Sequence, residues 1–429
     1  MDLIVENVRS LSGRHVIPIA PLTLVTGENS SGKSTFLAML SAVLSEGFPY
    51  TPNLFNRAPF ELGNFSTIAS YSGTGGKRAN HFTIGRSDEG SLEVEFVEID
   101  GQARIGSVLL KRDGQSVRVK VDGGQIIFNV ETPARRETFL IAFKTETMPP
   151  PLFVLIGELG GIKSKKNKDL VEVIQKLFSD LVWGVRKPGR TSIALSPVRT
   201  KPRRTYDQLA EDFQPEGEHI PFTLARVLGE DNQRGANLRD ALAKFGLASG
   251  LFEKISLKKL GNKKNLSDPF QIVLKVGAPG VNLMDVGYGV SQALPVLVES
   301  VLQDASHTLL LQQPEVHLHP KAQAALGTFF SGLVTHQKKN IVVETHSDYL
   351  IDRVRIEIRE KRLKLADVAL LFFERRRGQT SIHKIDFDEL GNVLNPPLGF
   401  RDFFLDEQMR VMGIGSQSVR TEVARVRHS

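Results

Sequence analysis

Short apolar runs bounded by polar or glycine positions open the chain. Leu3–Val8 and Leu22–Thr26 read as strands separated by a polar turn around Ser12–Arg14, and residues 36–45 (FLAMLSAVLS) carry apolar side chains at helical spacing. From about residue 64 to 157 the period changes to two. Runs such as HFTIG, SLEVEFVEI, SVLLKR, SVRVKV and QIIFNV lie between Gly and Asp-Gly turns, which predicts a meander of antiparallel strands. Residues 166–184 and 206–250 return to helical spacing, with KKNKDLVEVIQKLFSDL the clearest amphipathic case. A strand at Phe270–Val276, a glycine turn and a helix near 290–303 come next. Strand 308–311, helix 320–336, strand 340–344 and helix 347–361 follow, the alternation of a parallel α/β core. Beyond Arg410 the apolar pattern fades, and residues 411–429 read as a flexible tail. There is no heptad array and no internal repeat, so no long coiled coil is expected.

Composition narrows the class. A chain of 429 residues with 41% apolar and 24% charged side chains has the make-up of a soluble globular protein with two or three domains. Cysteine is absent, which excludes a disulfide framework, thiolate zinc and a cysteine nucleophile. No run of about 18 apolar residues suggests a membrane span, and Met1 leads straight into strand-like LIVENV; a reducing cytoplasm fits these features. The net charge of +7 gathers in patches: KSKKNK at 163–168, RTKPRR at 199–204, the pairs Lys258–Lys259 and Lys263–Lys264, and RRR at 375–377. Such patches suit DNA or another polyanion. Solvated loops explain them as well, since no aromatic side chains interleave them.

The chemistry-bearing stretches change the picture more. GENSSGKST, Gly27–Thr35, fits G-x-x-x-x-G-K-[ST] and sits between a strand and a helix, the context that motif needs. Backbone N–H groups of Gly27, Glu28, Asn29, Ser30, Ser31 and Gly32 would wrap the phosphates of ATP, aided by the helix N-terminus. Lys33 would reach the β- and γ-phosphates, Ser34 would hold Mg²⁺, and Thr35 would sit at the α-phosphate side. DVGYGVSQALP, Asp285–Pro295, presents Gly289 and Ser291 at the start of a helix; alone it reads equally as a helix cap by Ser291. VVETHSDYL, Val342–Leu350, ends a strand on His346 at the carboxyl edge of a parallel sheet, where a histidine can contact a γ-phosphate or simply cap the next helix. PEVHLHP places His317 and His319 near Glu315, but no further ligand cluster completes a zinc site.

Taken together, GENSSGKST, GYGVSQALP, QQPEVHLHP and ETHSDYLIDRVR resemble the AAA-annotated, ABC/SMC-like ATPases related to OLD nucleases and common in bacterial defence systems, the ATPase subunit of Septu-type systems among them. ALSPVRTKPRRTY and ELGNVLNPPLGFRDFF are similar to that family's pattern too, so the resemblance spans nearly the whole chain. It implies an α/β fold: an ABC-type P-loop head with an antiparallel meander and an inserted helical lobe. The lobes would be residues 1–205, carrying the glycine loop and the meander, 206–268, the helical insertion, and 269–410, carrying the signature turn, the acid strand and the switch histidine. It also implies a homodimer closed head to tail over two ATP–Mg²⁺, with Gly289 and Ser291 completing the partner's site, His346 as switch and His319 in an interface loop. The family's glutamine loop has no match; Arg199 stands nearest to its place. OLD enzymes carry a Toprim nuclease after the head, and the roughly 70 residues after the last ATPase helix are too few for one. DFD, 386–388, reads as a surface turn. A separate effector or nuclease subunit is the expected partner.

One departure from that pattern is chemical. LLLQQPE places Gln312 and Gln313 where relatives carry the acid that orients Mg²⁺ and the acid that polarises the attacking water. An amide oxygen still accepts a hydrogen bond but lacks charge and basicity. Phosphoryl transfer rests mainly on positioning and electrostatics, and Glu315 stands two residues on. Slow hydrolysis is therefore the expectation, with control of an effector in anti-phage defence as the role. A DNA repair or recombination clamp and an ATP-binding scaffold without turnover are the alternatives; the pattern fits a transporter ATPase poorly.

Overall fold

The computed structural model describes residues 1–72, 77–122, 125–142, 168–183, 191–207, 212–230, 232–260, 268–277, 279–376, 378–397, 399–401 and 409–412. Two sheets carry the molecule. The first is an eight-stranded antiparallel sheet. In chain order its strands are β1 (Asp2–Val8), β2 (Leu11–Pro18), β4 (His81–Ser87), β5 (Ser91–Ile99), β6 (Gln102–Arg112), β7 (Gln115–Asp122), β8 (Gln125–Glu131) and β9 (Arg136–Ala142); they lie side by side in the order β9-β8-β7-β6-β5-β4-β1-β2. The second is a seven-stranded sheet ordered β10-β14-β15-β3-β16-β17-β18. Its strands are β3 (Leu22–Gly27), β10 (Thr191–Leu195), β14 (His307–Gln312), β15 (Asn340–Glu344), β16 (Val368–Arg376), β17 (Gln379–Phe387) and β18 (Val393–Leu394). The first five in that order run parallel, and β16–β17–β18 close the sheet with antiparallel pairs.

Alternation along the central strands assigns their side chains to two cores. Val25, Leu310, Val342, Leu371 and Phe373 face the first core, together with helix α1 (Lys33–Val43), the antiparallel sheet and the amphipathic helix α2 (Lys168–Phe178). Leu24, Leu309, Leu311, Ile341, Val343, Leu370 and Phe372 face the second. There they meet α3 (Ile220–Gly229), α4 (Gln233–Ser249), α5 (Tyr288–Leu302), α6 (Pro320–Gln337) and α7 (Asp348–Arg359). The parallel strands are thus covered on both faces, which is why they read as continuous apolar runs. The chain has an α/β fold, a mixed sheet that carries the glycine loop packed against an antiparallel meander. Among the described residues no helix exceeds the 18 residues of α6, and no helix is long and apolar enough to cross a membrane.

Several local expectations need correction. The polar turn sits at Arg9–Ser10 rather than Ser12–Arg14, because β2 begins at Leu11 and pairs with β1 as far as Pro18. The strand at Phe270–Lys275, β12, lies outside the parallel core: it pairs antiparallel with β11 (Lys254–Lys259) and with β13 (Val281–Asn282). Helical spacing across 206–250 resolves into α3 and α4 with an irregular lead-in that includes an isolated bridge, Tyr206–Phe270. Asp386 and Phe387 lie in strand β17, paired with Leu394 and Val393, instead of in a turn. Asp388 makes the turn, its Oδ1 accepting the N–H groups of Leu390 and Asn392 at 2.9 and 2.7 Å. The end of the expected meander, 143–157, and the tail from 413 lie outside the described residues.

Candidate functional site

The glycine loop leaves β3, the strand flanked by β15 and β16, and delivers Lys33 as the first residue of α1. Gly27 is required by contact. Its φ is +139°, and a Cβ there would meet the carbonyl oxygen of Phe373 at 2.1 Å. Glu28, Asn29 and Ser30 are exposed along the rim, Ser31 is buried, and Gly32 turns through φ +98° into the helix. The buried Lys33 ammonium donates to the carbonyl oxygens of Gly27 and Glu28 at 2.9 and 2.6 Å, which holds the loop in a tight arc. Burial pushes its pKa down, against the pull of Glu344 and Glu28. Thr35 is buried beneath the loop, while Ser34 stands exposed at the opening.

The far hairpin braces this loop. Arg375 donates to Ser30 O at 3.1 Å, and Thr380 Oγ1 lies 2.8 Å from both Ser31 O and Ser10 Oγ. Nothing in the local spacing of Arg375 or Thr380 marks them for this role.

Next to the loop lie the ends of β14 and β15. In parallel register Gln312 stands opposite Glu344, and Gln313 N–H donates to Glu344 O at 2.8 Å. Gln313 adopts φ +44°, an uncommon conformation for a side chain of its kind, so the strand breaks sharply here. Among the described residues neither glutamine amide makes a hydrogen bond; the contacts of both are through the backbone. The carboxylate lies one strand over. Glu344, 5% exposed, accepts from Ser34 Oγ at 3.2 Å (Oε2) and 3.4 Å (Oε1). Burial raises its pKa, Lys33 and Ser34 oppose the shift, and Glu315 adds to it. This residue was missed in the sequence because it ends a strand as an ordinary polar terminator does.

Glu315 is also buried. One of its oxygens accepts His346 N–H at 2.7 Å and the other, Oε2, has no partner. Burial raises its pKa, countered by the His346 N–H, the Thr345 hydroxyl and the Arg199 charge. Arg199 is not a metal-contacting group in the manner of a glutamine loop. Its buried guanidinium donates to the carbonyl oxygens of Gln312 (2.9 Å), Gln313 (3.3 Å) and Gln292 (3.3 Å), tying the β14 end to α5. Burial lowers its pKa to about 10. His346 is exposed at the sheet edge. Partial desolvation and the Lys33 charge push its imidazole below the usual range, so it is neutral at pH 7.

Gly289 and Ser291 are not brought to this loop. They open α5, whose apolar residues lie in the second core, whereas Phe36 of α1 lies in the first. Among the described residues no hydrogen bond joins the turn to the glycine loop. Gly289 packs so closely on the loop after β14 that a Cβ would meet His317 O at 2.6 Å. Ser291 is buried, its Oγ donating to Tyr288 O at 2.7 Å. Gly287 and Tyr288 are the exposed residues at the helix start, and Tyr288 meets His317 edge to face. His319 caps α6, its Nδ1 accepting Lys321 N–H at 3.4 Å. The RTKPRR patch is largely neutralised: Arg199 is buried, Arg203 pairs with Glu218 at 2.8 Å, and Arg204 pairs with Asp285. Residues 163–167, 263–264 and 377 lie outside the described residues.

Residues 160–351 match a family described as an AAA ATPase domain, and residues 2–178 match one described as an AAA domain. An OLD nuclease from Thermus scotoductus is 19% identical over 393 residues, covering 89% of this chain and 65% of its own length. Among solved structures, an Smc head bound to the C-terminal winged-helix domain of ScpA aligns at 12% identity and TM-score 0.43, covering 90% of this chain and 98% of that one. The SMC head domain from Thermotoga maritima aligns at 11% identity and TM-score 0.39, with the same coverage.

Proposed function

We propose that this chain binds ATP with Mg²⁺ in the glycine loop, closes as a head-to-tail homodimer over two nucleotides, and hydrolyses them slowly. The observation that carries the dimer is the placement of the two nucleotide-facing elements. The glycine loop opens a helix on one face of the parallel sheet and the signature turn opens a helix on the other. A γ-phosphate held by Lys33 is therefore completed by the exposed helix start at Gly287–Tyr288 of a second copy, whose N–H groups suit an anion. Ser291 would have to leave Tyr288 O to join them.

Within one site, Lys33 exchanges its loop carbonyls for phosphate oxygens, and Ser34 and Glu344 offer oxygen ligands of the hard type that Mg²⁺ prefers. Bound Mg²⁺ supplies charge neutralisation across the phosphates. Glu315, with one free oxygen, takes the part of the missing acid beside the attacking water, and the neutral His346 accepts or donates one hydrogen bond at the γ-phosphate. The name of the Thermus relative and the resemblance to defence ATPases favour a nuclease as the effector that the closed dimer controls, in the cytoplasm of a cell facing foreign DNA. Light scattering of the full chain tests this reading. A non-hydrolysable ATP analogue should double the mass of the natural protein but not of Ser291→Arg; a variant that still doubles refutes the shared site.

A further inference from the structure

We infer that Glu344, at the end of β15, is the carboxylate that positions the nucleotide's divalent cation, in place of an acid at the end of β14. The inference rests on the nucleotide reading above and concerns where the charge of that site resides.

Three observations converge on it. First, Glu344 is the Cα partner of Gln312, so the two side chains leave neighbouring strands at the same height. A carboxylate moved one strand sideways stays at the same edge of the sheet. Second, Glu344 is turned toward the loop, within 3.2 Å of the Ser34 hydroxyl, and the Lys33 charge acts on it. A buried carboxylate with one weak hydroxyl donor is under-compensated; the adjacent ammonium is spent on the carbonyl oxygens of Gly27 and Glu28. Third, a second buried carboxylate stands at the same sheet edge. Glu315 is 7% exposed, it accepts the N–H of His346, two residues on from Glu344, at 2.7 Å, and its Oε2 has no partner. Two buried carboxylates at one sheet edge, one with a free oxygen and the other with a single hydroxyl donor, are an arrangement that a divalent cation resolves.

The donor set suits Mg²⁺ in kind and number. Among the described residues no cluster of three or more His, Cys, Asp or Glu is placed to hold a metal by itself. A cation here takes one carboxylate and one hydroxyl from the protein and the rest from phosphates and water, the usual arrangement for nucleotide-bound Mg²⁺. The amides of Gln312 and Gln313 add no charge.

The test separates nucleotide binding from cation binding. Calorimetry of the full chain with a non-hydrolysable ATP analogue is run in EDTA and then with Mg²⁺, and spin resonance of Mn²⁺ follows the cation itself. In the natural protein Mg²⁺ should tighten the analogue at least tenfold. Glu344→Gln should lose that gain and give the Mn²⁺ signal of the free Mn²⁺–analogue complex rather than that of the natural protein, while analogue binding in EDTA stays within about twofold or improves. The double variant Gln312→Asp, Glu344→Gln should recover part of the gain, since it returns the charge to the neighbouring strand. Glu344→Asp, shorter but charged, should show an intermediate gain and keeps the test open if the glutamine variant fails to fold. A full Mg²⁺ gain in Glu344→Gln overturns the inference. Absence of analogue binding by the natural protein in either condition overturns the nucleotide reading instead.

Discussion

The ends of β14 and β15 stand in register at one edge of the sheet, Gln312 opposite Glu344, and they have divided the usual duties between them. The β14 end works through its backbone. Its carbonyls accept from Arg199, Gln313 turns through a left-handed conformation, and its side chains carry no charge. The β15 end works through its side chain, with a buried carboxylate facing Ser34. The contrast teaches that two strand ends at one height can differ in how they meet their neighbours, one through carbonyls and the other through a carboxylate.

Removing the brace should have the largest effect. Arg199→Met leaves three carbonyl acceptors without their buried donor and removes the positive charge that acts on Glu315, a loss of about 3–5 kcal/mol of stability. Chemical denaturation measures it. A midpoint close to that of the natural protein would mean that the β14 end keeps its shape unaided. Next comes Lys33→Ala, expected to weaken ATP analogue binding about 100-fold, about 2.8 kcal/mol, by calorimetry. Unchanged affinity would move the phosphate site away from the glycine loop.

Restoring charge to β14 sharpens the contrast further. Gln313→Glu should raise steady-state phosphate release about tenfold, about 1.4 kcal/mol off the barrier, because a carboxylate draws the proton from attacking water. Glu315→Gln should lower release by a few-fold, short of the roughly 10²–10⁴-fold of a full general base because the natural turnover is already slow. If neither variant changes the rate, the chain holds nucleotide without turning it over.

Much of this was legible before any coordinates. The glycine loop announces itself because phosphate cradling demands glycines, lysine and hydroxyl at fixed spacing, and α1, α6 and α7 follow from 3.6-residue periodicity. The β15 carboxylate is a different kind of fact. Glu344 and Ser34 are 310 residues apart, and only the parallel pairing of β15 with β3 brings them together. The Arg199 brace is hidden for the same reason: an arginine in a polar, basic stretch looks solvated until three carbonyls surround it. The β17 edge was misread at DFD because alternation in QTSIHKIDF is weak, its pairing with β16 supplying what its own composition does not.

The finishing of the glycine loop by a distant hairpin also bears on how the protein is born. Thr380 meets Ser31 across 349 residues of chain. At ribosomal rates of about 5–20 residues per second, roughly 20–70 s pass between making the loop and making its brace. For most of that interval β3 lacks both β15 and β16, so the nascent chain has its glycine loop but no frame to shape it. On the nucleotide reading proposed above, ATP would meet a formed site only when the hairpin at 368–387 has emerged and closed the sheet.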